Sequence, residues 1–203
     1  MHLRWLFPCA LAGIALASPA FGNLLTNPGF ELGYTTGWTN NGGSLDGTGL
    51  GEEPHSGTKS WHGAWNYGGS AQTTTYYQDI PVTVGTLYDA SMWAKGNAWD
   101  GVYGNETHSF RLRIRFRDGS GNLATHDATS VPNDTWQQLV LTNLEAPAGS
   151  VVARVMFSYI TTQPANAWKV WNIDDLSFAA VPEPAMMTVL GLGLPFVARR
   201  RRR

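Results

Sequence analysis

From Ser109 to Arg117 the chain alternates without a break, with Phe110, Leu112, Ile114 and Phe116 interleaved with Arg111, Arg113, Arg115 and Arg117. Successive side chains of a strand point to opposite faces, whereas a helix would scatter both sets around its axis. The segment is therefore a strand with one apolar and one cationic face. A lone strand cannot bury its apolar row, so a sheet with a second layer over it is required. Asp118-Gly119-Ser120-Gly121-Asn122 follows and reads as a turn into Leu123 to His126.

Short alternating runs broken by Gly, Asn, Asp and Pro continue on both sides. Strands are predicted over Tyr76 to Val84, Leu87 to Lys95, Trp136 to Leu144, Val151 to Tyr159 and Val170 to Phe178, with shorter pieces near Leu24 and Trp61. Roughly eight or nine strands result. No segment between the two ends carries a convincing 3.6-residue apolar period, and there is no internal repeat. The expected fold is all-β, an antiparallel β-sandwich or jelly roll. The longer irregular stretches, Thr39 to Ser56, Gly63 to Thr74 and Asn97 to Thr107, are of a length that usually serves function or mobility.

The ends read differently. A basic start (His2, Arg4), an apolar run from Trp5 to Ala17 and the small residues of Ala20-Phe21-Gly22 make residues 1–22 a signal peptide cut before Asn23. Ser18-Pro19-Ala20 is a second cleavage candidate, and Pro8, Gly13 and Pro19 speak against a buried N-terminal helix. At the other end Pro182-Glu183-Pro184 precedes a 14-residue segment, Ala185 to Ala198, and then Arg199, Arg200, Arg201, Arg202 and Arg203. As a helix that segment spans about 21 Å, short against a hydrocarbon core of roughly 30 Å. The arginines hold the end on the cytoplasmic side. In this order, residues 181–203 resemble the PEP-CTERM sorting signal. The resemblance implies an exosortase-type enzyme that cuts near Pro-Glu-Pro, a transient membrane stage through a short transmembrane helix, and release or re-anchoring. The expected location is export through an inner-membrane intermediate to the cell surface or extracellular matrix. A signal helix and a short C-terminal hydrophobic helix thus flank one domain, residues 23–180.

That domain holds 14 acidic and 8 basic residues once Glu183, Arg4 and the five terminal arginines are set aside, a balance of −6. Such a charge disfavours nucleic-acid binding, which needs a basic footprint. The only cysteine, Cys9, lies in the signal segment, which leaves the domain no thiol, disulfide or cysteine zinc site. It must be held by its core, by a metal, or by both.

Asn23-Leu24-Leu25-Thr26-Asn27-Pro28-Gly29-Phe30-Glu31 with Gly37-Trp38 resembles the opening of jelly-roll carbohydrate-binding modules of the cellulose- and xylan-binding type, in the galactose-binding-like group. His55-Ser56-Gly57-Thr58-Lys59-Ser60, Tyr77-Gln78-Asp79-Ile80, Val84-Gly85-Thr86-Leu87-Tyr88, Ser91-Met92-Trp93-Ala94-Lys95-Gly96 and Ile173-Asp174-Asp175-Leu176-Ser177-Phe178 extend the likeness over most of the domain. These are mainly motifs of fold, and one fold hosts many functions. The resemblance implies a structural calcium, with Glu31 and Asp174 at the matching positions and carbonyls near Thr58 or Lys59 as partners. Strand alternation also turns Asp174 inward with Leu176 and Phe178, and a buried carboxylate must be paired or metal-bound. The alternative for this pair is that Asp174 accepts backbone amide hydrogen bonds and Glu31 is solvated.

Eight tryptophans fall within the domain. The resemblance places Trp38, Trp93 and Trp136 in the core. Trp65, Tyr67, Trp99, Tyr103 and Trp168 lie in Gly/Asn-rich stretches and are the candidate sugar contacts, because flat rings stack on the C–H faces of sugars. The arginine row admits two readings, an anionic-polysaccharide surface or a solvated face that deters edge pairing. Catalytic signals are weak. There is no G-x-S-x-G elbow and no H-E-x-x-H, and nothing brings any two of Asp46, Glu52, Glu53 and Asp100 together. The reading is an exported, non-catalytic surface or matrix protein that binds polysaccharide. A structural or adhesive envelope protein is the alternative, and a glycan-cleaving enzyme ranks third.

Overall fold

The computed structural model describes residues 22–41, 49–51, 53–65, 72–97, 108–131, 133–161 and 169–182. Ten strands and no α-helix occur among them: β1 (Thr39–Asn40), β2 (Gly49–Gly51), β3 (Ser60–Trp65), β4 (Gln72–Pro81), β5 (Leu87–Asn97), β6 (His108–Arg117), β7 (Asn122–Ser130), β8 (Gln137–Glu145), β9 (Val152–Thr161) and β10 (Lys169–Ala180). They form two five-stranded sheets, β1-β4-β9-β6-β7 (sheet A) and β2-β3-β10-β5-β8 (sheet B). Every pairing is antiparallel. The two predicted terminal helices lie outside the described residues.

The alternation on β6 holds. Phe110, Leu112, Ile114 and Phe116 are fully buried, and the arginines take the other face. Across the core, sheet B contributes Trp61, Met92, Trp171, Ile173, Leu176 and Phe178, all buried. Trp171 stacks on Tyr159 of the opposite sheet with ring centroids 3.6 Å apart. Its cross-strand partners are Gly63 and Gly96, which leave room for the indole. A Cβ on Gly63 would lie 2.5 Å from Trp171 Nε1 and 2.7 Å from the Trp61 ring. Trp61, Tyr76 and Phe157 form a second aromatic knot, Tyr76 and Phe157 being stacked at 5.3 Å.

Several predicted bounds shift. The strand expected from Tyr76 to Val84 runs from Gln72 to Pro81, because Thr83 to Thr86 closes a turn through Gly85 at φ 79°. The stretch Thr39 to Ser56, read as loop, contains β1 and β2, which are too short to show periodicity. No strand forms near Leu24. That segment is irregular and tied to β10 by Leu24 N–H donating to the Phe178 carbonyl (2.8 Å) and Asn23 Nδ2 donating to the Leu176 carbonyl (2.7 Å). Phe30, at φ 57°, and Trp38 cap this end of the core by packing together and on Phe157.

The strand alternation that would turn Asp174 inward with Leu176 and Phe178 is broken by a bulge. Asp174 pairs with Trp93 and Ser177 with Ser91, so the register slips between them. Asp175 takes a φ of 46° there. One extra residue moves every side chain on one side of it to the opposite face. Trp171 and Ile173 point into the core before the bulge, and Leu176 and Phe178 do so after it. Asp174 therefore leaves the sheet on its outer face.

Candidate functional site

The outer face of sheet A is built by cross-strand register. Tyr77 (β4), Met156 (β9), Arg113 (β6) and Asp127 (β7) form one transverse row, and Asp79, Arg154, Arg115 and Thr125 the next. Arg113 grips Asp127 with Nε and Nη2. Arg154 grips Asp79 in the same two-pronged way, both bonds at 2.7 Å, and lies 3.9 Å over the Tyr77 ring. The fork bond to Asp127 raises the pKa of Arg113 and holds the Asp127 carboxyl below the usual carboxylate range. Thr75 and Ser158, both buried, bond to each other at 2.9 Å in the row opposite Arg111. Arg111, Arg115 and Arg117 form no ion pair among the described residues. Burial, and then the neighbouring Arg113, pull the Arg111 and Arg115 guanidiniums down from their ordinary values. Because β6 lies between β9 and β7, this row cannot protect a sheet edge, which removes that reading of it.

The candidate sugar contacts Tyr67, Trp99, Tyr103 and Trp168 lie outside the described residues. Trp65 closes β3 and pairs with Lys169, but its side chain also lies outside the description. What the topology defines is where their segments attach. Trp65 lies opposite Lys169, Val170 opposite Asn97, Gln72 opposite Thr161, and Thr161 opposite His108. The strand ends that carry residues 66–71, 98–107 and 162–168 thus share one end of the two sheets.

On the outer face of sheet B, the segment 53–59 covers Asp174, which is fully buried. Asp174 Oδ2 accepts from the amides of His55 (2.8 Å) and Ser56 (3.2 Å), and Oδ1 from Asp175 N–H (2.8 Å). Desolvation nevertheless pushes its pKa up to about 6, against the pull of those amides. Glu31 grips the next turn of the same segment: it accepts from the Thr58 hydroxyl and from the amides of Thr58 (2.7 Å) and Lys59 (3.0 Å). Those three bonds, the hydroxyl first, hold its pKa below the usual value. A Cβ on Gly57 (φ 67°) would collide with Glu31 Oε1. As a donor set for calcium the pair suits a hard cation only in part. Asp174 Oδ1 and Glu31 Oε2 each keep one acceptor position, while backbone N–H groups and the Thr58 hydroxyl take the rest.

Trp93 and Trp136 are not core residues. Alternation on β5 sends Met92 and Ala94 inward and Trp93 outward, where it stacks on His55 with centroids 4.0 Å apart. Trp136 meets the same imidazole edge-on at 5.4 Å, and His55 Nδ1 bonds Asp175 Oδ2 at 2.6 Å. Trp38 is buried as expected, with Nε1 donating to the Asn27 carbonyl at 3.2 Å. Of the loop carboxylates, Glu53 pairs with Lys95 at 2.6 Å, while Asp46, Glu52 and Asp100 lie outside the described residues. No group of three metal-ligating side chains occurs among the described residues. Alternation could have assigned Trp93, but the cluster it builds with His55 and Asp175 depends on long-range contacts.

No curated protein matches the chain. Among solved structures, it is similar to a family 61 carbohydrate-binding module in complex with β-1,4-galactotriose: TM-score 0.56, 18% identity, 79% of this chain and 99% of that one. The xylan-binding CBM22-1 domain of Paenibacillus barcinonensis Xyn10C gives a TM-score of 0.55 at 19% identity, over 82% of this chain and 99% of that one. The enzymatically active domain of tailspike protein 4 from bacteriophage CBA120 gives 0.60 at 18% identity, over 78% of this chain but 21% of its own. These likenesses show the β-sandwich fold. A family profile described as a carbohydrate binding domain, CBM_4_9, matches residues 22–158, more than half of the chain. The chain belongs to this family of carbohydrate-binding modules.

Proposed function

We propose that the protein is an exported, non-catalytic module that binds polysaccharide through Trp65, Tyr67, Trp99, Tyr103 and Trp168. The observation that carries this reading is the shared end of the sandwich. The strand ends bearing residues 66–71, 98–107 and 162–168 share that end, and these three segments carry Tyr67, Trp99, Tyr103 and Trp168 in the sequence. The buried tryptophans support it by contrast. Trp38, Trp61 and Trp171 already fill the core, so packing of this sandwich has its indoles without the loop set. A screen of the exported protein against immobilised β-glucans, xylans, mannans and galactans should retain it on at least one. Retention on none, with the fold intact, would favour the structural or adhesive alternative.

The Pro182-Glu183-Pro184 tail and arginine block are an exosortase-type sorting signal. Mass spectrometry of the secreted form should therefore find a C-terminus near residues 181–184, and an intact Arg203 would exclude processing. Glu31 and Asp174 would hold a structural calcium through the acceptor positions left on Oε2 and Oδ1, stapling the first segment and β10 to the 55–59 loop. Bound cation would favour the ionised form of Asp174, which burial alone disfavours.

A further inference from the structure

The outer face of sheet A carries five guanidiniums, Arg111, Arg113, Arg115, Arg117 and Arg154, against two carboxylates, Asp79 and Asp127, in a domain whose overall balance is −6. Both carboxylates are committed in fork bonds, to Arg154 and Arg113. The other three, Arg111, Arg115 and Arg117, form no ion pair among the described residues. Two of them, Arg111 and Arg115, flank the neutralised Arg113 on the same strand, and Arg115 directly faces Arg154. The Nε atoms of Arg111 and Arg115 are buried and have no hydrogen-bond partner among the described residues.

Neither bland explanation suffices. A fully solvated face would leave the Nε donors in water together with the outer nitrogens, whereas those of Arg111 and Arg115 are buried, and edge protection needs an edge, which β6 is not. Partly buried like charges with unmet donors cost stability unless something completes them. Guanidinium presents a planar fork that matches a carboxylate or sulfate bidentately. Alternate residues of a strand stand roughly 6.6 Å apart, so Arg111, Arg115 and Arg117 make a line of anion positions about 20 Å long, with gaps of about 13 and about 7 Å. Arg113 and Arg154, held by their aspartates, are not free to turn toward a ligand and act as fixed rails.

We propose that the arginine row on β6 is an anion-reading subsite, so that the glycan bound by this module is an acidic polysaccharide carrying regularly spaced carboxylate or sulfate groups. The proposal rests on the carbohydrate-binding reading and adds the chemical class of the ligand. It is local and periodic rather than a matter of net charge. A protein of this acidity has no general attraction for polyanions, so recognition must come from this ladder.

The test is calorimetric titration of the exported protein with polygalacturonate and alginate oligomers, beside neutral xylan and β-glucan oligomers of equal length, and with a single-stranded oligonucleotide as a polyanion control. Acidic oligomers should bind at least tenfold more tightly than neutral ones, and the advantage should shrink as salt is raised. The double variant Arg111→Gln/Arg115→Gln should lose that advantage while keeping its weaker binding of neutral oligomers. Arg115→Lys, which keeps the charge but not the fork, should fall between. The melting temperature of each variant separates lost recognition from lost fold. Equal affinity for acidic and neutral oligomers, unchanged polyuronate binding by a folded double variant, or equally tight oligonucleotide binding would each overturn the acidic-ligand assignment and leave the module's sugar binding standing. Absence of binding to every glycan would remove the broader reading as well.

Discussion

Asp174 makes the stability of this domain fall as pH rises through the mildly acidic range. Its carboxyl is fully buried, and burial lifts its folded-state pKa to about 6 from the usual 3.8. A raised carboxyl pKa means that the folded state holds the proton more tightly than the unfolded chain. Below the unfolded value both states are protonated and there is no penalty. As pH rises toward the folded value, ionising the buried group costs stability. A gap of about two units at about 1.36 kcal/mol each amounts to about 3 kcal/mol in all. About 1–2 kcal/mol of it falls between pH 5 and 7. For a domain of this size the melting temperature should drop by roughly 3–6 °C over that interval. Glu31, Asp118 and Asp127, whose pKa values are depressed, act in the opposite sense. Their contribution is complete above the ordinary carboxylate range and is lost only below it, outside this window. Calorimetric melts in chelator from pH 5 to 7 should show the drop in wild type and a flatter profile in Asp174→Asn. A wild-type melting temperature that stays level or rises, or an equal drop in the variant, would refute the assignment.

Gly63→Ala should destabilise the fold by about 1–3 kcal/mol, because its Cβ would push into both the Trp61 and the Trp171 rings, and denaturant melts giving an unchanged midpoint would contradict that packing. At a calcium concentration a hundredfold above its dissociation constant, the ion should add about 2.7 kcal/mol of stability to wild type. Glu31→Ala and Asp174→Ala should lose this gain, and identical wild-type melts with calcium and chelator would rule the site out. His55→Ala should shift tryptophan emission and cost on the order of 1 kcal/mol by unstacking Trp93 and freeing Asp175. An unchanged spectrum would mean that the stack does not persist in solution.

The sandwich was legible because β6 alternates so strictly and because its neighbours share long apolar rows. What resisted reading were places where non-local geometry overrides local pattern. The bulge at Asp175 flips Asp174 to the outer face, and no residue type there announces an extra residue in the strand. Asp174 is still buried, by a loop more than a hundred residues earlier in the chain. Trp93 was legible from its own strand: Met92 and Ala94 face the core, so Trp93 cannot. Motif likeness pointed the other way. The depth of Trp171 comes from two glycines placed opposite it by strand pairing, Gly63 and Gly96, which only the register reveals. The arginines could be counted in sequence, but which of them find an ion-pair partner among the described residues depends on which strands flank β6 and β9.

The central claim, that an aromatic rim at one end of the sandwich binds polysaccharide, is tested most directly by titrating one retained glycan into wild type, Trp99→Ala and Trp65→Ala. A few stacked rings at about 0.5–1.5 kcal/mol each, with hydrogen bonds, give a dissociation constant in the micromolar to millimolar range. Each substitution should weaken binding about tenfold with no change in melting temperature. Unchanged affinity in both variants, or variants that unfold, would contradict it, because the rings would then be either idle or part of the core.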